Sequence, residues 1–126
     1  MEPTNPEDLA QAAYAFYCHG RLGEAAILFA SLAHRDPFDP YPHQALGAIY
    51  LAAGRALEAV LAYTQAIALA PDEPRHRVCR GEALARLGET EAALADWAEA
   101  LRLGGVPAEP LLRFIRVALA VHAPRE

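Results

Sequence analysis

The sequence predicts an all-α fold: three helix-turn-helix repeats stacked into a right-handed superhelix, plus a C-terminal capping helix. Three observations carry that prediction. Gly20, Gly54 and Gly88 stand 34 residues apart. Small Ala25, Ala59 and Ala93, then large Phe29, Tyr63 and Trp97, follow at fixed offsets on the same 34-residue step. Prolines keep the period too, Pro37 with Pro71, and Pro6 with Pro40 and Pro74. Self-similarity at this length is the mark of a helical solenoid, in which each unit buries its apolar face only against its neighbours.

The first pair of helices is predicted over 6–18 and 22–34. Gly20 ends the first helix, where the chain must take a positive φ. Ala25 sits where the two helices cross closely, and Phe29 fills the gap to the next repeat. Pro37 closes the second helix because it cannot donate within a helix interior. The second pair, 40–52 and 56–69, repeats this with Gly54, Ala59, Tyr63 and Pro71. Apolar residues recur at three and four within it. Leu46, Ile49 and Tyr50 line one side of its first helix; Leu57, Val60, Leu61 and Ile67 line one side of its second. The third pair, 74–86 and 90–102, carries Gly88, Ala93 and Trp97. Gly104 and Gly105 then break the pattern, followed by Pro107 and Pro110. A seventh helix over about 108–121 carries Leu111, Leu112, Ile115, Leu119 and Val121 and is expected to cover the apolar end of the third repeat. The repeats span about 6–37, 40–71 and 74–105 of a single domain, 1–126. Phe16 and Tyr50 join Phe29, Tyr63 and Trp97 at core register.

Composition excludes several classes of function. The chain is 54% apolar, much of it alanine, yet no apolar run approaches the ~18 residues of a membrane span. Met1–Asp8 carries Glu and Pro without a basic stretch and does not read as a signal peptide. A formal charge of −5 argues against nucleic acid. Cys18 and Cys79 lie in separate repeats and read as reduced thiols in a cytoplasm. The histidines (His19, His34, His43, His76, His122) lack paired helical spacing, so no zinc hydrolase motif is present. Cys18 and His19 are neighbours that point apart on a helix. Asp36 and Asp39 flank Pro37 and read as cap or turn residues. No enzyme, cofactor or metal is expected.

The 34-residue pattern resembles the tetratricopeptide (TPR) consensus over nearly the whole chain. The first repeat matches it least, with Ala12 and Ala13 where Leu and Gly are usual. A narrower likeness runs over about 12–103. Phe16-Tyr17-Cys18-His19-Gly20-Arg21-Leu22-Gly23-Glu24-Ala25 resembles the first repeat of the class II type III secretion chaperones of bacteria. Ala30-Ser31-Leu32-Ala33 and Asp36-Pro37-Phe38-Asp39 are similar to that family's first inter-repeat segment. Leu46-Gly47-Ala48 matches its leucine-glycine-alanine stretch. Pro74-Arg75, Gly81-Glu82-Ala83 and Leu87-Gly88-Glu89 resemble its third repeat. The resemblance implies a cytoplasmic chaperone that holds an N-terminal, extended segment of a translocator subunit in its groove before export. The family carries a longer N-terminal arm used in homodimer contacts, where about five residues precede the first helix here.

The first helix of each pair lines the concave groove. Register places Glu7, Ala10, Tyr14, Tyr17 and Cys18 there in the first repeat. Tyr41, Gln44, Ala48, Leu51 and Ala52 follow in the second, and Arg75, Val78, Glu82, Ala85 and Arg86 in the third. The expected peptide-binding set is Tyr14, Tyr17, Tyr41, Gln44, Ala48, Leu51, Arg75, Val78 and Glu82. Tyrosines offer broad apolar faces with a polar tip, and Ala48 and Ala52 leave depressions between them. The alternative is that the tyrosines pack on neighbouring helices. Arg75, Glu82 and Arg86 either fix a partner's charged end or are solvated surface charges. TPR domains that grip the C-terminal carboxylates of heat-shock proteins use a lysine and an asparagine where this chain has Ala10 and Tyr14. Two other readings stay open: a chaperone whose client, a secretion needle subunit, docks as a helix, and a scaffold within a multiprotein complex. An apolar outer patch could also pair two chains as a homodimer.

Overall fold

The computed structural model describes residues 5–105 and 108–122. The expectations for Met1–Thr4 and Pro107, and for the side chains of Leu111 and Leu119, fall outside what is described. Seven helices and no strand occur among the described residues: α1 (Pro6–Cys18), α2 (Leu22–Arg35), α3 (Tyr41–Ala52), α4 (Ala56–Leu69), α5 (Pro74–Arg86), α6 (Thr90–Leu103) and α7 (Ala108–His122). Each packs on the next up to α6; α3 also meets α5, and α7 lies on α5 and α6.

Local chemistry starts and stops these helices on the repeat's period. Asn5, Asp39 and Glu73 stand 34 residues apart, and each side chain accepts the backbone N–H two residues on, from Glu7 (2.8 Å), Tyr41 (3.0 Å) and Arg75 (3.2 Å). They satisfy amides that the first helical turn leaves unpaired. Gly20, Gly54 and Gly88 have φ of 74°, 76° and 81° and end α1, α3 and α5. Behind each glycine the chain closes with the same pair of hydrogen bonds. At Gly20 they are Arg21 N–H to Phe16 C=O (2.9 Å) and Gly20 N–H to Tyr17 C=O (3.0 Å). This pair of hydrogen bonds around a left-handed residue is the Schellman ending. Asp36 accepts from Phe38 N–H at 3.1 Å and shapes the turn after α2.

The core runs along the solenoid as stacked clusters. Ala25, Ala59 and Ala93 are wholly buried, as are the nearby Phe29, Tyr63 and Trp97. Opposite the aromatics stand Ala13, Gly47 and Gly81, again on the 34-residue step. A Cβ on Gly47 would lie 2.6 Å from the Tyr63 ring, and one on Gly81 would lie 2.3 Å from Trp97 Nε1. The two larger aromatics therefore leave no room for a side chain, whereas Phe29 shares its cluster with Ala13. The Trp97 indole N–H donates to the Val78 carbonyl at 3.1 Å. α7 contributes Phe114, Ile115 and Ala118 to the third cluster, with Phe114 edge-on to Trp97 at 6.0 Å.

Two expectations about the core need correction. Leu57 and Leu61 do not face it; Leu61 is 61% exposed, and Ile67 alone of that set is buried. The buried stripe of α4 is Ala59, Ala62, Tyr63, Ala66 and Ile67. This helix is apolar nearly all round, so periodicity does not choose its face, whereas the need for close approach selects the alanines. Phe16 and Tyr50 are half-buried at the margin of the core. Each lies under a guanidinium, Arg21 at 5.1 Å and Arg55 at 5.5 Å, held by Glu24 and Glu58 respectively.

Candidate peptide-binding groove

The sequence of α1 puts Tyr14 and Tyr17 on one side of that helix, and α3 answers with Tyr41, Gln44, Ala45 and Ala48. Together with Phe29 of α2 these residues enclose a cavity of about 180 Å³. Ala48 is what keeps it open: the register neighbours one repeat away are Tyr14 and Glu82. Phe29 forms the floor and meets Tyr41 edge-on at 5.9 Å and 73°. Tyr14 is 58% exposed and stands as the rim. Hydrogen bonding with the Cys18 thiol, one turn on, holds the Tyr14 phenol above its usual pKa, so it stays a neutral donor.

The volume limits what this cavity takes. Sites for whole small molecules enclose ~300–1,000 Å³. An apolar cavity of ~150 Å³ takes a benzene ring. A single large apolar side chain is the matching guest.

Five of the nine expected groove residues meet here: Tyr14, Tyr17, Tyr41, Gln44 and Ala48. The other four go elsewhere. Leu51 is 9% exposed and packs with Ala59, Tyr63 and Ala83, so it belongs to the core. Ala85, also placed in the groove by register, is buried beside Trp97. Val78 is half-buried against that same third cluster. Glu82 pairs with Arg86 at 3.0 Å, and Arg86 also donates to the Leu51 carbonyl at 3.2 Å. These charges are spent on tying the ends of α5 and α3 together rather than solvated singly. Arg75 is exposed and lines a separate depression of about 270 Å³ with Pro40, Tyr41, Gln44, Ala70, Glu73 and His76.

Phe29, Ala45 and His76 were not anticipated at these depressions. Phe29 is both core and floor, a double role that register alone does not reveal. His76 has a usable signal, because Pro42 occupies its position one repeat earlier and is fully buried. Among the described residues no group of three or more His, Cys, Asp or Glu could hold a metal ion. No helix among them is long and apolar enough to cross a membrane.

Paired helices on a 34-residue step, glycine-ended and closed by a terminal helix, define a tetratricopeptide-repeat solenoid. No family model and no curated relative matches the sequence. Solved structures do share the fold. The type III secretion chaperone SycD of Yersinia enterocolitica, in complex with a peptide of the translocator YopD, is 24% identical with a TM-score of 0.83, covering 95% of this chain and 93% of that one. PcrH, a protein of Pseudomonas aeruginosa, in complex with the chaperone-binding region of PopD, is 22% identical at a TM-score of 0.80, covering 91% of each chain. The first TPR domain of Spaghetti (RPAP3), bound to an HSP90 peptide, is 18% identical at a TM-score of 0.84, covering 98% of each chain.

Proposed function

We propose that this chain is a peptide-binding chaperone that holds an extended segment of a type III secretion translocator in its concave groove before export. The carrying observation is the cavity walled by Tyr14, Tyr17, Phe29, Tyr41 and Ala48, which is sized for one apolar side chain. An apolar anchor in such a pocket fixes an otherwise unfolded segment, and flanking tyrosines bury its sides at low entropic cost. Support comes from the fold shared over nearly the whole chain with SycD, solved with a peptide of the translocator YopD, and with PcrH, solved with the chaperone-binding region of PopD. The carboxylate-gripping mode of co-chaperone TPR domains fits less well, because Ala10 and Tyr14 stand where that mode uses a lysine and an asparagine.

Peptides tiled along translocator N-terminal regions, titrated against the purified chain, test this reading. One tile should bind, and Tyr17→Glu or Ala48→Trp should weaken it about 30-fold or more with helicity unchanged. Binding that survives both substitutions would remove the groove from the mechanism. A bound peptide that turns helical by circular dichroism would favour the needle-subunit reading. Capture of several subunits of one stable assembly would favour a scaffold.

A further inference from the structure

One buried polar side chain carries an atom that no hydrogen bond satisfies. His76, in the first turn of α5, is 3% exposed, and its Nδ1 is the sole buried side-chain polar atom among the described residues without a hydrogen-bond partner. Native proteins pair such atoms, so an orphan calls for an explanation. Packing does not supply one, since the preceding repeat fills the same position with the equally buried Pro42. His76 lines the depression beside the tyrosine cavity, and the two share Tyr41 and Gln44 as a common wall. An extended segment anchored in the cavity and leaving it toward α5 would pass over this depression.

The charges beside it narrow the guest. Arg75 and Glu73 line the same depression with opposite signs, and the Glu73 carboxylate already accepts the Arg75 backbone N–H. One side chain of each sign lines the depression, so its charges offset, and a neutral hydrogen-bonding group fits better than an ionised one. We infer that this depression is a second subsite of the groove, taking a neutral polar side chain of the bound segment with His76 as its hydrogen-bond partner. Burial, the leading influence, lowers the His76 pKa and keeps the ring neutral, with one N–H and one lone pair. A half-turn about χ2 exchanges Nδ1 with Cδ2, so the orphan nitrogen can turn to meet an arriving group.

The inference rests on the peptide-groove reading, and its test separates the two. A phage-displayed library of random peptides is selected on the wild-type chain, on His76→Leu and on His76→Gln. His76→Pro, which copies the second repeat, stands in should the Leu variant not fold. The wild-type and Gln pools should share an apolar anchor and, at fixed spacing, an enriched Asn, Gln, Ser or Thr. The Leu pool should keep the anchor and lose that polar residue, and wild-type-selected peptides should bind His76→Leu about tenfold more weakly. The same polar residue in the Leu pool, or none in the wild-type pool, overturns the second subsite while leaving the groove. No enrichment at all, or a pool indifferent to Ala48→Trp, overturns both.

Discussion

At Gly81 one methyl group decides whether two helices can meet. Alanine is the better helix former by about 1 kcal/mol, so local propensity favours Gly81→Ala. The tertiary contact opposes it, because the new Cβ would sit 2.3 Å from Trp97 Nε1. Overpacking of a rigid core costs about 1–3 kcal/mol, and Gly81→Ala should therefore lower stability in a denaturant titration. Adding Trp97→Phe should recover part of that loss, since Ala13 with Phe29 shows the smaller ring accommodating the methyl group. A double variant no more stable than Gly81→Ala would show that steric fit is not the cause. His76 permits a second prediction at this scale. Its folded pKa is depressed, first by burial and then by Arg75 and Arg77, against the opposing pull of Glu73. The unfolded chain thus takes up the proton first. The associated stability is whole above the unfolded value of ~6.5 and is lost as pH falls below it toward the folded value. Denaturant midpoints at pH 7.5 and 5.5 should differ less in His76→Gln than in wild type.

The interface of α4, α5 and α6 holds an ion pair that earlier repeats lack. Arg80 donates from Nε and Nη2 to the Asp96 carboxylate at 2.7 and 2.6 Å, and from Nη1 to Thr64 Oγ1 at 3.2 Å. Asp96 is buried, while the equivalents one repeat earlier are Leu46 and Ala62. Removing one partner strands the other charge, so Asp96→Ala should cost about 3–5 kcal/mol. Arg80→Leu with Asp96→Ala copies the second repeat and should restore most of the loss in thermal denaturation. A double variant as unstable as the single one would mean that the pair does more than fill space. Reading elements from the sequence succeeded where chemistry repeats: the glycine ends, the crossing alanines and the aromatics all keep the 34-residue step. It failed where neighbours decide. Tyr17, Leu51 and Ala85 share one register position, yet only Tyr17 walls the cavity. Leu51 and Ala85 sit between stacked helices on both sides, whereas α1 has none before it among the described residues. The buried Pro42 one repeat earlier marks position 76 as enclosed, but neither spacing nor composition distinguishes an unpaired imidazole from a paired one.

A solenoid distributes its stability through nearest neighbours, so injury at one end should stay there. The tyrosine cavity belongs to α1, α2 and α3, whereas α7 packs on α5 and α6. Phe114 joins α7 to Trp97 edge-on. It is half-buried, so Phe114→Ala should cost less than the ~3–5 kcal/mol of a fully buried phenylalanine. Opening of α7 should then expose the Trp97 end of the third repeat while the first two repeats keep their packing. In amide hydrogen exchange the expected pattern is faster exchange across α6 and α7 with protection in α1 to α3 unchanged. Affinity for a groove peptide should likewise be unaltered, because distant sites without shared partners act independently. A globally cooperative fold would instead lose protection in every helix together. Uniform loss would mean that the binding end is held in shape by the far end, and that the ladder of contacts from α2 through α5 transmits more than neighbour-to-neighbour packing.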